Sequence, residues 1–123
     1  MNIFDEIKNR NYDAVVSICR EKGASVLNER SEIDDEDPLE YVENRILRAN
    51  RTLDKLRQRE SKPSVIEDYE NYIREYTSIK NFIERFAFNV AFNKLSFLKQ
   101  ACQEETQQTV SDAMDEMKAA FTN

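Results

Sequence analysis

The sequence predicts an all-α protein, and three observations carry that expectation. Apolar residues recur at helical spacing over long runs, 34% of the residues are charged, and the 123 residues include one Gly and two Pro. That composition leaves little turn chemistry for a sheet. The expected architecture is an N-terminal helical hairpin plus long antiparallel helices forming a helical bundle. Residues 1–36 read as the hairpin and an acidic loop, and 37–123 as the long-helix bundle, within one cooperative domain. A chain of this length buries about two thirds of its unfolded surface on folding.

Residues 2–10 read as a short helix with Ile3, Phe4 and Ile7 inward and Asp5 and Glu6 near its positive end. A turn at 9–11 leads into a second helix over 12–22, with Tyr12, Val15, Val16, Ile18 and Cys19 on its buried side and Gly23 as a left-handed C-cap. Asp37 as N-cap and Pro38 at the first helical position start a third helix over 38–60. Its seam of Leu39, Val42, Ile46, Ala49, Leu53 and Leu56 spans about two and a half heptads. After a linker at 61–64, Ser64 and Glu67 form a capping box for the longest helix.

In that helix Ile66, Tyr69, Ile73, Tyr76, Ile79, Ile83, Phe86 and Val90 share one face. The short linker predicts that this seam faces the Leu39–Leu56 seam across two antiparallel neighbours. From Phe86 onward Phe88, Ala91, Phe92, Leu95, Phe97, Leu98, Ala101 and Cys102 cover more than one face, which predicts a place at the centre of a bundle or in a subunit interface. In the tail, Val110, Met114, Met117 and Phe121 lie on one side. With no Gly or Pro there, a helix folding back and an extension of the long helix both fit.

The net charge of −6 conceals a division. Residues 1–44 carry 12 acids and 5 bases, residues 45–100 carry 7 acids and 12 bases, and residues 101–123 carry 5 acids and 1 base. Acidic ends packing on a basic middle explain this, as does docking on a charged partner. The sequence contains no His, so Ser-His and Cys-His nucleophiles, His-containing zinc sites and Glu-x-x-His di-iron bundles are excluded. Gly23 stands alone, so no glycine-rich loop cradles a phosphate. The expectation is a non-enzymatic chain without cofactor or metal.

Three candidate surfaces follow. The first is an aromatic-rich partner-binding surface built from Phe86, Phe88, Phe92, Leu95 and Phe97. The second is the acidic run Glu32, Asp34, Asp35, Glu36 and Asp37, which lacks the glycine and trailing Glu of an EF-hand and reads as a solvated loop or as the contact of a small acidic inhibitor or nucleic-acid mimic with a basic target. The third is the basic stripe Arg45, Arg48, Arg51, Lys55, Arg59 and Lys62, spaced to follow nucleic-acid phosphates or to make ion pairs on the helix surface. No aromatic residue interleaves the stripe, which argues against stacking on single strands.

The stretch from Ile3 to Asn28, followed by Asp37–Pro38–Leu39, resembles an ankyrin repeat. Gly23, Ala24, Val26, Asn28, Pro38 and Leu39 stand at roughly the family's places, with Asp37 and Glu40 where it shows Thr and His. The resemblance implies an ankyrin-like hairpin capping the rest and a role in protein interaction. A protein partner or self-association is therefore expected first, and nucleic acid second. The opening M-N-I-F-D-E-I-K places acids where a signal peptide needs bases, and no apolar run is long enough for a bilayer, so a soluble cytoplasmic protein and no membrane partner are expected. Cys19 and Cys102 are expected as reduced, buried thiols.

Overall fold

The computed structural model describes residues 2–101 and 104–122, and it is all-helical. The elements are α1 (Ile3–Lys8), α2 (Tyr12–Lys22), a 3-10 helix (Gly23–Asn28), α3 (Pro38–Gln58), α4 (Pro63–Ala101) and α5 (Glu104–Thr122). No strand occurs among the described residues, and none of their helices is long and apolar enough to cross a membrane. The chain forms two compact units that divide between Glu84 and Arg85, inside α4. The break does not fall near residue 36, because α1, α2, the 3-10 helix and α3 pack on one another in the first unit.

Local chemistry sets the helix ends. Asn2 Oδ1 accepts from the Phe4 amide at 2.8 Å and caps α1, and Asn11 caps α2 through the Ala14 amide. Asp37 and Glu40 form a reciprocal capping box at α3, with Pro38 pre-set in the first turn. At α4 Pro63 takes the first helical position, and the Lys62 carbonyl accepts from Val65 and Ile66. Ser64 is therefore already inside the helix and is not its N-cap.

Two helices end in Schellman motifs whose left-handed residue is not glycine. After α1 the Arg10 amide donates to Ile7 and the Asn11 amide to Glu6, with Arg10 at φ 58°. After α3 the Glu60 amide donates to Arg57 and the Ser61 amide to Leu56, with Glu60 at φ 53°. A side chain in this region costs about 1 kcal/mol or more. The one glycine stands elsewhere: Gly23 has φ 69° and ψ −152°, a region essentially closed to other residues. From it the chain turns into the 3-10 helix that buries Val26, an element absent from the sequence expectation.

The fully enclosed core lies in the first unit. Ile3, Ile7, Val15, Val26, Val42, Ile79 and Ile83 are each 0% exposed, and each such aliphatic contributes roughly 1.5–3 kcal/mol. Tyr41, Ala49, Leu53 and Tyr76 are also buried. Of the α3 seam, Leu39, Ile46 and Leu56 are only half-buried. Tyr12 is 43% exposed despite its predicted inward position, yet its ring meets Phe82 edge-on at 6.0 Å. Arg10 ties the corner between α1 and α2 to α4: its guanidinium pairs with Glu75 at 3.0 Å and lies over the Tyr72 ring at 4.0 Å. The Tyr76 hydroxyl donates to the Lys8 carbonyl at 3.0 Å beside it.

Cys19 is a buried, unbridged thiol, and Cys102 lies outside the described residues. Burial first, and the Glu29 carboxylate second, push the Cys19 thiol up to about 11.

Arg10→Gly should destabilise the protein about 1 kcal/mol less than Arg10→Ala, since glycine relieves the left-handed backbone while both lose the same ring and ion-pair contacts. Exposed Glu60→Gly should be stabilising by up to about 1 kcal/mol. Denaturant titration of the three variants checks both, and the ordinary helix order of Ala above Gly at position 10 would contradict them. Cys19 should resist iodoacetamide at neutral pH at the rate of unfolding, read by peptide mass spectrometry. The neutral folded thiol stabilises fully below its unfolded value of about 9 and loses that contribution as pH rises through about 11. Stability over that window should therefore fall more steeply in the native protein than in Cys19→Ala.

Candidate interaction surface

The second unit is a helical hairpin made of residues 85–101 of α4 and the helix α5. Its rungs fix an antiparallel register. Phe88 meets Phe121 with ring centroids 4.7 Å apart, Lys118 Nζ lies 4.9 Å from the Phe92 ring, and Lys99 Nζ donates to Ser111 Oγ at 3.2 Å. Phe88 stacks on Phe92 one turn along at 5.7 Å, and the Arg85 guanidinium lies over the Phe121 ring at 4.5 Å. The fold-back of the tail, left open by the sequence, is thus established. Cations over aromatic faces contribute roughly 0.5–1 kcal/mol each at such exposed sites.

The two flanks of this hairpin differ. Given the rungs, 3.6 residues per turn places Ala91, Leu95 and Leu98 of α4 on the same side as Val110, Ala113 and Met117 of α5. The opposite side carries Asn89, Asn93, Ser96 and Gln100 with Gln108 and Asp115. A shallow hollow of about 300 Å³ lined by Ser96, Lys99, Gln100, Gln107 and Met114 lies between the helices. None of residues 85–100 and 107–121 is buried: Phe86, Phe88, Phe92, Leu95, Val110, Met114, Met117 and Phe121 are all half-buried. Phe97 is 72% exposed and Leu98 44%.

The five aromatic-surface candidates therefore do not form one patch. Phe88 and Phe92 turn toward α5, Leu95 lies on the apolar flank, and Phe86 and Phe97 lie on the side of α4 away from α5. Leu98, Phe121, Arg85 and Lys118 belong to the surface and were not among the candidates. Phe121 was legible from its row with Val110, Met114 and Met117, whereas the two cations carried no periodic signal.

The acidic run is largely occupied in building its own loop. Asp37 caps α3, Asp35 pairs with Arg30 at 3.2 Å, and Asp34 pairs with Arg48 at 3.9 Å. Glu36 is buried and accepts from the Asn44 amide. Glu32 is exposed, next to Ile33 at 93% exposure. Of the basic stripe, Arg45 donates to the Tyr41 hydroxyl at 2.9 Å and covers its ring at 4.9 Å. Arg51, Lys55, Arg59 and Lys62 are exposed and make no ion pair with another described residue. Among the described residues, no cluster of three or more Cys, Asp or Glu is placed to hold a metal ion.

Compared with protein-family models, curated proteins and solved structures, the chain matches none.

The aromatic ladder predicts a local stability effect. Phe88→Ala removes contacts to both Phe92 and Phe121 and should cost about 1–3 kcal/mol, less than a fully enclosed Phe because the ring is half-buried. Hydrogen exchange should show the loss in the amides of α5 and leave α1 and α2 unchanged; equal loss in both units would contradict it.

Proposed function

We propose that this chain is a non-enzymatic interaction protein that assembles through the apolar surface of its C-terminal hairpin. The observation that supports this reading is the contrast between the two units. The first encloses a complete core, and the second places nine large apolar side chains among its described residues in partial exposure with two more, Phe97 and Leu98, exposed. Two helices alone cannot surround a core, and a continuous uncovered apolar flank on a folded protein marks a place for another surface. The acidic loop supports a docking role less well, because four of its five carboxylates already serve the loop, α3 or a neighbouring Arg. The helical hairpin at the N-terminus, ankyrin-like in sequence, fits the same class of role.

The test is affinity capture of the tagged chain from its native cells, in parallel with Phe97→Asp/Leu98→Asp. The native protein should carry a stoichiometric companion or elute as an assembly, and the double variant should lose it with its far-ultraviolet circular dichroism unchanged. A solitary monomer for both proteins would overturn the proposal.

A further inference from the structure

We propose that the surface covering the apolar flank of the hairpin is the same flank of a second copy of this chain, giving a two-fold four-helix bundle. This inference rests on the interaction reading above and names its partner. The argument is charge complementarity. On the rim of this flank α4 carries Lys94 and no acid and α5 carries Glu116 and no base, whereas Arg85 and Lys99 turn toward α5 and Asp115 lies on the opposite side. A partner matching this flank must set an acidic side chain beside Lys94 and a basic one beside Glu116, both around an apolar centre. A second copy does so when the two-fold axis runs parallel to the helices, because α4 of each copy then lies on α5 of the other and every neighbouring pair is antiparallel.

The rims of the flank agree with this arrangement. Helical spacing puts Lys94 at the outer edge of the flank on α4 and Glu116 at its outer edge on α5, both exposed and without an ion pair to another described residue. The rungs 88/121, 92/118 and 99/111 place Lys94 level with Glu116 within one hairpin. An axis parallel to the helices preserves that level, so Lys94 of each copy meets Glu116 of the other. The alternative axis, across the helices, stacks α4 on α4 and sets like charges together. The flank is about 26 Å long and two helices wide, roughly 500 Å² per copy in projection. Since accessible area exceeds projection, the pair reaches the lower range of stable interfaces, which implies a concentration-dependent dimer.

Sedimentation velocity on the full chain over a range of concentrations tests this, with the 14.5 kDa protomer as reference. The native protein should pass from monomer to a species of twice that mass. Lys94→Glu and Glu116→Lys should each raise the dissociation constant roughly five- to tenfold. Combining both substitutions in one chain, or mixing the two single variants, should restore it. Leu98→Asp should abolish the dimer, with circular dichroism reporting intact helices. A native monomer at the highest concentration, or a dimer indifferent to both Leu98→Asp and the charge reversals, overturns the inference. If that monomer still captures a companion that Phe97→Asp/Leu98→Asp loses, self-association alone fails; with no companion, the interaction reading fails with it.

Discussion

The first unit depends on one residue held in an unfavourable backbone conformation. Arg10 occupies left-handed space to close the Schellman motif after α1, and that closure aims its side chain at α4. The guanidinium then lies over Tyr72 and against Glu75, while the Lys8 carbonyl at the same corner receives both Arg10 and the Tyr76 hydroxyl. These contacts join residues 62 to 68 positions apart in sequence, so this one cluster fixes how a long-range pairing is set. Local strain is offset by contacts that only the strained conformation provides.

The distribution of burial follows from how many elements surround each stretch of α4. Where the α1–α2 corner and α2 reach α4, Tyr76, Ile79 and Ile83 are enclosed. Past Glu84 α5 is the packing partner within the unit, and side chains of equal hydrophobicity stay half in water. The same helical repeat thus yields a core in one segment and an interface-like surface in the next. Composition alone does not distinguish the two; the number of surrounding helices does.

The helical class, the span of α2, the start of α3 at Pro38 and the inward positions Ile3, Ile7, Val42, Ile79 and Ile83 were legible because capping chemistry and the 3.6-residue period act locally. The 3-10 helix after Gly23 was not, since Gly-Ala-Ser-Val-Leu-Asn has no period long enough to register. The caps at Arg10 and Glu60 were hidden because sequence points to glycine at such positions. The division at Glu84 was hidden too, because the row Ile79, Ile83, Phe86 and Val90 runs through it at helical spacing and the added apolar residues beyond it read as a central position in a bundle or interface. Of the candidate site, the wealth of aromatics near Phe88 was visible, but sorting them among the faces required the register against α5, which the sequence left open.

The passage of α4 through both units has a consequence for how the molecule opens. Amide protons exchange with solvent only when their hydrogen bonds break, and the least costly opening governs each one. Between Tyr76 and Ile83 α4 is pinned by enclosed side chains, so its amides there exchange only through costly openings. Toward its end the same unbroken hydrogen-bond ladder rests on half-wet contacts and opens at lower cost. One helix therefore joins an enclosed stretch to a half-wet one, and the change falls near Glu84 although secondary structure continues.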